Sequence, residues 1–429
     1  MFCGASWQVF WSTTDAARYQ CYALTFWLGS NAVKLLPESQ CLFLNLSTAQ
    51  PPFHMLPLEY PPLTLVAFSL ALLIPLTYYQ LAFALLMSLV SVLIYWLLLR
   101  YGPRGAALAF ATYIFIGALA TAQGRFDLLP AVLVLLCVIA AERKHWTAAY
   151  VALAFGVLLK LYPLLLLPGL FLAEQQIRGR LPIPSKPLTA RSQLQQLGYA
   201  LQGIGRWHWK NCLIFLGLVL GISGAFALLN FQEAVVTQLS YFTQRPIQIE
   251  AIGSSILWMA RNFGQPLQIV YTFGSLNSLS PLSGGVGLIG TTLLVSGYIY
   301  VLWMQWRGRL DVTQTMIAML LVFIATGKVF SPQYLIWLIP LLAYAGAFDP
   351  FWLFFWGVVS LLTTFIYSYL YAHLSNPQLV NYIPGFFETI ATRNAFFVLV
   401  TLAYLFNWCQ ARQRKVLPPS LTGKETRQL

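Results

Sequence analysis

The stretch whose reading decides the fold is residues 147–173, TAAYVALAFGVLLKLYPLLLLPGLFLA. Its first apolar run, Thr147–Leu159, is only about 20 Å long as a helix rising 1.5 Å per residue. The hydrocarbon core of a bilayer is about 30 Å thick, so this run ends inside it. Lys160 is therefore expected well below the membrane surface, at the turn of a broken hairpin that Pro163 restarts as Tyr162–Ala173. A charge and irregular backbone at such depth are tolerated only where they are buried in protein or line a cavity. The reading is of a helical bundle with a hole in it.

Outward from this hairpin the same pattern recurs. Apolar runs occupy Leu63–Tyr79, Leu81–Leu99, Ala106–Ala122, Leu128–Ala141, Leu213–Leu229, Val286–Trp306, Thr313–Thr326, Tyr334–Ala347, Phe351–Tyr371 and Ala395–Asn407. They are rich in Leu and Ala without dyad alternation, which predicts helices rather than barrel strands. Of the 429 residues, 59% are hydrophobic and 9% charged, against about 25% charged in a soluble domain. The fold class is an all-α polytopic membrane protein, a bundle of about 11 transmembrane helices, several short and broken, with added outer juxtamembrane helices.

The net charge of +13 suits basic loops on the cytoplasmic side better than a nucleic-acid surface. Placing Arg100/Arg104, Arg143/Lys144, the loop 174–210, Arg307/Arg309 and Arg412, Arg414 and Lys415 inside satisfies the positive-inside bias with one arrangement. The protein is then multi-pass in the inner or plasma membrane, with a cytoplasmic C-terminus. Residues 1–80 form an outer first loop with juxtamembrane helices, 81–411 the transmembrane bundle, and 412–429 a basic tail. Parity makes Leu63–Tyr79 a juxtamembrane or re-entrant helix, launched by Pro61-Pro62 and disturbed by Pro75. The loop Glu174–Lys210 reads as a polar, basic strap along an anionic lipid surface. No cleavable signal peptide is visible.

The six cysteines show no metal or redox spacing. Cys137 and Cys212 read as packing residues. Cys21 and Cys41 are candidates for an outer disulfide, but Cys3 makes the outer count odd, so no pairing is predicted. The four scattered histidines give no zinc site, and no P-loop or nucleophile elbow is present.

The outer turns carry the chemistry: Asp15, Glu59, Arg125, Asp127, Lys160, Arg245, Glu250, Lys328 and Arg393. Charges this close to lipid are costly and by default functional. Arg261 and Glu388 sit in ordinary loop surroundings and read as structural. Asp15 and Tyr19 share a face of a short outer helix at i, i+4. Glu59-Tyr60-Pro61-Pro62 rigidly launches an apolar segment. Gln244-Arg245-Pro246-Ile247-Gln248-Ile249-Glu250 alternates as an extended loop, and Gly327-Lys328-Val329-Phe330-Ser331-Pro332-Gln333-Tyr334 is a polar turn between apolar helices.

In that order, and with Gly124-Arg125-Phe126-Asp127 and Leu159-Lys160-Leu161-Tyr162-Pro163 between them, these motifs resemble glycosyltransferase family 87 from about Asp15 to Tyr371. The resemblance implies a GT-C-like fold, similar to the polyprenyl-phosphate-mannose-dependent mannosyltransferases. It implies an inverting transfer of a hexose, mannose by default, from a polyprenyl-phosphate donor to a lipid or glycan acceptor at the outer face. Asp15 would be the catalytic base, and Lys160, Lys328 and Arg245 the donor phosphate ligands. Tyr19, Glu59, Arg125, Asp127, Gln248, Glu250 and Gln333 would bind sugar or acceptor or support those that do. Asp127 and Glu250 would bind sugar hydroxyls or hold Arg125 and Arg245. No cofactor is required, and a divalent cation is allowed but not indicated. Partners are the donor, the acceptor and membrane lipid, with no nucleic acid. Proteins of this kind begin with a transmembrane helix, whereas only Met1–Thr14 precede Asp15 here. That helix is expected upstream of Met1 or is lost from this copy. Competing readings are a secondary transporter or flippase of lipid-linked sugars, against which no inverted repeat is visible, and a catalytically degenerate relative.

Overall fold

The structure is a computed structural model. It describes residues 14–44, 49–118, 121–181, 203–346, 348–371 and 383–406, with Gly198 and Val380. The chain opens with α1 (Asp15–Leu28), followed by the short α2 (Thr64–Leu70) and the long α3 (Tyr79–Tyr101). Then come α4 (Ala106–Ala118), α5 (Leu128–Glu142), α6 (Trp146–Leu159) and α7 (Leu167–Ile177). The second half holds α8 (Lys210–Leu229), α9 (Gln238–Gln244) and α10 (Ile252–Ala260). It continues through α11 (Ser283–Trp306), α12 (Val312–Thr326), α13 (Tyr334–Gly346), α14 (Pro350–Phe365) and α15 (Phe386–Leu405).

Among the described residues, five helical stretches are long and apolar enough to cross a membrane alone: 76–101, 210–229, 283–306, 352–370 and 386–405. The shorter apolar helices α4, α5, α6, α12 and α13 form the inside of the bundle. At 14 residues, α6 spans about 21 Å, and α12 is buried along nearly its whole length. Burial among other helices, rather than length, satisfies these short segments. As expected, Leu63–Tyr79 is no full span: α2 gives way to two single 3₁₀ turns on either side of Pro75 before α3 begins.

The basic helix ends converge at one end of the bundle. The Arg143 guanidinium lies 4.3 Å from the Tyr101 ring centroid. The Gln176 amide donates to the carbonyls of Gln305 and Trp306, and Gln175 donates to His208 O. The opposite end carries α1, whose first turn is capped by the Thr14 hydroxyl accepting from Ala17 N–H. There Gln40 donates to Ala17 O and Gln20 Oε1.

Several expectations need correction. Cys21 and Cys41 do form a disulfide, fastening α1 to the following segment; Cys3 lies outside the described residues. The fold is mostly helical, as expected, and adds a three-stranded antiparallel sheet at the α1 end. Its strands β1 (Ile247–Gln248), β2 (Gln268–Thr272) and β3 (Ser275–Leu279) are ordered β1-β3-β2. The last helix starts at Phe386, not Ala395, so Glu388 and Arg393 are helical rather than in turns. Glu388 and Arg261 are exposed, in keeping with a structural role. The expected strap 174–210 begins inside α7, where Glu174 is fully buried and binds Arg178 and Asn211. Lys186, Arg191 and the tail 412–429 lie outside the described residues.

Candidate active site

A cavity of about 780 Å³ opens at the α1 end. Three sequence-distant turns meet there: the start of α1, the segment before α5, and the α6–α7 break. They are joined by β1, the β2–β3 hairpin and the turn between α12 and α13. Asp15, Glu59, Arg125, Lys160, Arg245, Gln248, Glu250, Lys328 and Gln333 all line it. Asp127 stands one layer behind, and Tyr19 lies wholly inside the protein.

The charges pair in a definite order. Asp15 Oδ2 lies 2.5 Å from Arg125 Nη2. Arg18, on the next turn of α1, forms an ion pair with Glu59 and stands 3.9 Å from Asp15. Burial disfavours the Arg18 charge, but Glu59, with Tyr22, Tyr60 and Asp15 adding to it, holds its pKa above the ordinary value. Lys160 Nζ lies 2.5 Å from Asp127 Oδ1, and the Trp337 indole donates to the same oxygen at 2.6 Å. The Lys160 ammonium also faces the rings of Phe126 at 5.0 Å and Trp337 at 5.1 Å. The turn before α5 and the α6–α7 break thus close on each other through this pair.

Glu250 is held elsewhere than expected. It pairs with Arg393 Nη1 at 3.5 Å and accepts from Tyr371 OH at 3.0 Å. Its carbonyl accepts from Arg393 and Asn394. Arg393 is fully buried and stacks 3.8 Å from the Phe330 centroid. Glu250 therefore does not hold Arg245, and Asp127 does not hold Arg125, whose acidic partner is Asp15. An ion pair this deep is stable only when its remaining hydrogen-bonding groups are also met.

Arg245 and Lys328 are different. Arg245 Nη2 donates to Ser275 Oγ at 2.9 Å, while its guanidinium lies over the Tyr241 ring. Its buried Nε has no partner among the described residues. Lys328 is exposed on the cavity wall. Neither has a carboxylate within ion-pair distance among the described residues. Gln248 fixes the turn below Lys328: its N–H donates to Lys328 O at 2.8 Å, and its side-chain oxygen accepts from Phe330 N–H at 3.0 Å. Gln248 is thus a clamp on the Lys328 turn. Gln333 Oε1 accepts from the Ser331 hydroxyl in the same turn.

Tyr19 stacks on Phe68 at 4.3 Å between centroids and packs edge-on to Phe126 and Tyr60. It is a packing residue that seats α1, not a ligand of the cavity. Sequence reasoning missed Arg18, although it sits one turn from Asp15. It also missed Trp337, Ser275 and the whole hairpin. Among the described residues no group of three or more His, Cys, Asp or Glu is placed to hold a metal ion.

From the charged turns the cavity continues along an apolar wall. Val286, Ile289, Gly290 and Leu293 of α11 line it together with Phe323 of α12. Ile289 and Leu293 are more than half exposed, so this wall runs out to the exposed apolar flank of α11. Gly290 permits the approach of α11, since a Cβ there would meet Thr326 O at 2.8 Å.

The family model for Glycosyltransferase family 87 matches residues 58–183. The matched stretch contains Glu59, Arg125, Asp127 and Lys160; Asp15, Arg245 and Lys328 lie outside it. No curated protein matches the chain.

Proposed function

We propose, taking the match to a glycosyltransferase family and the apolar helices of a membrane protein as premise, that the chain transfers a hexose from a polyprenyl-phosphate donor. The acceptor is a hydroxyl of a lipid or glycan. One observation carries this reading: a single cavity joins a carboxylate, two cations without an acidic partner among the described residues, and an apolar wall reaching the exposed flank of α11. A lipid phosphate needs the last two, and a hydroxyl nucleophile needs the first.

In the proposed step Asp15 takes the proton of the acceptor hydroxyl. The acceptor oxygen forms a bond to the sugar's anomeric carbon, from the face opposite the phosphate. The bond from that carbon to the phosphate oxygen breaks, and its electron pair leaves on the phosphate, so the configuration inverts. Arg245 and Lys328 receive the growing phosphate charge, in a cavity whose low dielectric strengthens their contacts. Arg125 orients Asp15, and Arg18 with Glu59 holds the start of α1 against the site. Lys160, already neutralised by Asp127, is assigned to the sugar side of the donor rather than to its phosphate.

The α1 end would face the outside of the cell membrane. The Cys21–Cys41 disulfide supports this, because such bonds persist in oxidising compartments. The basic ends gathered at the other pole support it too.

The test is transfer from labelled polyprenyl-phosphate mannose in membranes containing the protein, comparing wild type with Asp15→Asn. Transfer that collapses in the variant at unchanged protein level supports the assignment. Equal transfer removes Asp15 from the role of base, and absence of transfer from any polyprenyl-phosphate sugar overturns the reading.

A further inference from the structure

The ion pairs leave a definite charge excess in the cavity. Arg18, Arg125, Lys160 and Arg393 are matched by four carboxylates, Glu59, Asp15, Asp127 and Glu250 in turn, with Arg18 also 3.9 Å from Asp15. Arg245 and Lys328 remain, both lining the cavity and neither facing a carboxylate within ion-pair distance among the described residues. The site is therefore built for two negative charges.

A sugar linked to a lipid through one phosphate is a phosphodiester and carries one negative charge. The lipid phosphate that departs is a monoester, whose second ionisation lies near pH 6, so it carries two above neutral pH. We propose that the cavity is matched to the departing phosphate monoester dianion and not to the donor. The released carrier lipid phosphate then binds more tightly than the sugar-bearing diester and competes with it. This rests on the glycosyl-transfer reading above and concerns regulation of the same site.

Two further observations support the match. The Arg245 guanidinium and the backbone that carries Lys328 are fixed before any ligand arrives. Arg245 is tied to Ser275, whose hydroxyl in turn donates to Asn277 Oδ1 at 3.2 Å. The Lys328 turn is clamped by Gln248 on both sides. Preorganised cations favour the state in which charge is fully developed over the state in which it is not. The second observation is the proton balance. During transfer the acceptor's proton moves to Asp15 as the electron pair moves to the phosphate oxygen. Asp15 then no longer offsets Arg125, which adds to the positive field around the dianion until that proton is lost. Product departure and Asp15 deprotonation are thereby coupled.

The experiment uses the full-length protein in nanodiscs of neutral lipid at pH 8, with binding followed by calorimetry. The probes are decyl phosphate (a dianionic monoester), methyl decyl phosphate (a monoanionic diester) and decyl sulfate (a monoanion of monoester shape). Decyl phosphate is expected to bind about tenfold or more tightly than either monoanion, the scale of one added charge-assisted contact. Arg245→Gln and Lys328→Gln should each bring the three ligands close to parity. Equal affinity for decyl phosphate and the diester in wild type overturns this inference and leaves the phosphate site standing. Decyl sulfate binding as tightly as decyl phosphate also overturns it, since shape rather than charge would decide. A preference that survives in both variants overturns the assignment to Arg245 and Lys328. No binding of any probe by folded protein overturns the glycosyl-transfer reading itself.

Discussion

Asp15 Oδ2 and Arg125 Nη2 meet at 2.5 Å across the mouth of the cavity, joining the first turn of α1 to the segment that launches α5. Both side chains are about 15% exposed, Asp15 at 15% and Arg125 at 14%, so the carboxylate keeps an open edge while its direction is fixed. Asp15→Asn should keep the fold and lower transfer by about 10²- to 10⁴-fold, the usual contribution of a positioned base. Arg125→Gln should lower it less, through misdirection of Asp15. Single-turnover rates beside circular dichroism of the same preparations check both, and an Asn variant with wild-type turnover would refute the assignment.

Lys160 and Lys328 make a second, contrasting prediction. Lys160→Ala leaves Asp127, 1% exposed, without its cation. Breaking a buried pair from one side costs about 3–5 kcal/mol, so thermal unfolding in detergent should shift clearly downward. Lys328→Ala removes an exposed side chain that faces no carboxylate, and should leave the unfolding temperature within a degree or so while raising the donor KM. The same melting curves and donor titrations on both variants separate the two lysines. A Lys328 variant as unstable as the Lys160 variant would contradict the description of the site.

How much of this was legible in the sequence follows from what each signal measures. Hydropathy and helix length located the broken hairpin at Lys160, because a run too short for a bilayer is a property of the chain itself. The same arithmetic found the Lys328 turn, and the parity of crossings found the interrupted segment 63–79. Pairing was not legible. Nothing local to Glu250 says that its cation is Arg393, 143 residues away in sequence, rather than the neighbouring Arg245. The start of α15 was missed because Glu388, Arg393 and Asn394 dilute its apolar signal; the partners of Arg393 and Asn394 are supplied by tertiary contacts. The β2–β3 hairpin was missed because its turn is Phe273-Gly274, with φ of 52° and 67°, and lacks the Asn-Gly or Asp-Gly that usually marks such turns. The disulfide was left unassigned on a count of cysteines, and a count says nothing about which ones lie adjacent in space.

The Glu250–Arg393 pair supplies a third prediction. Arg393 is fully buried and donates to the Glu250 carbonyl at 2.6 Å while its plane lies on Phe330. Arg393→Met would strand the Glu250 carboxylate, with a cost again of about 3–5 kcal/mol. The double variant Glu250→Gln/Arg393→Met should recover part of that loss, because the uncompensated charge is removed. Chemical denaturation of the three variants measures the coupling, and additive losses would show that the two side chains act independently.

The Cys21–Cys41 bridge makes a fourth. It encloses a short loop that carries Gln40, whose amide reaches back to Ala17 and Gln20 in α1. Removing a cross-link of this loop size costs about 2–4 kcal/mol. Cys41→Ser should therefore lower the unfolding temperature and also lower transfer, since α1 carries Asp15. Thermal unfolding of the variant, with thiol counting of the native chain, tests this; two free thiols at these positions in the native protein would disprove the bridge.

Gly274 gives the last prediction, because its requirement is doubly specified. Its φ of +67° is open to glycine and costs other residues about 1–2 kcal/mol. A Cβ at this position would also stand 3.1 Å from Glu59 Oε1 and 3.2 Å from Arg18 Nη1. Both contacts are tight, so the hairpin tip and the Arg18–Glu59 pair would move apart by a few tenths of an ångström. The shift would carry Ser275 with it, and Ser275 holds Arg245. Gly274→Ala should thus lower stability modestly and weaken donor binding as well. Gly284→Ala is the matched control: that residue lies in the first turn of α11 with nothing within 4 Å of an added Cβ. It should be neutral or slightly stabilising, because alanine is the better helix former. Unfolding temperature and donor KM for the two alanine variants decide the matter. If Gly274→Ala loses stability with an unchanged KM, the hairpin tip is structural only, and the link from Gly274 through Ser275 to Arg245 is broken.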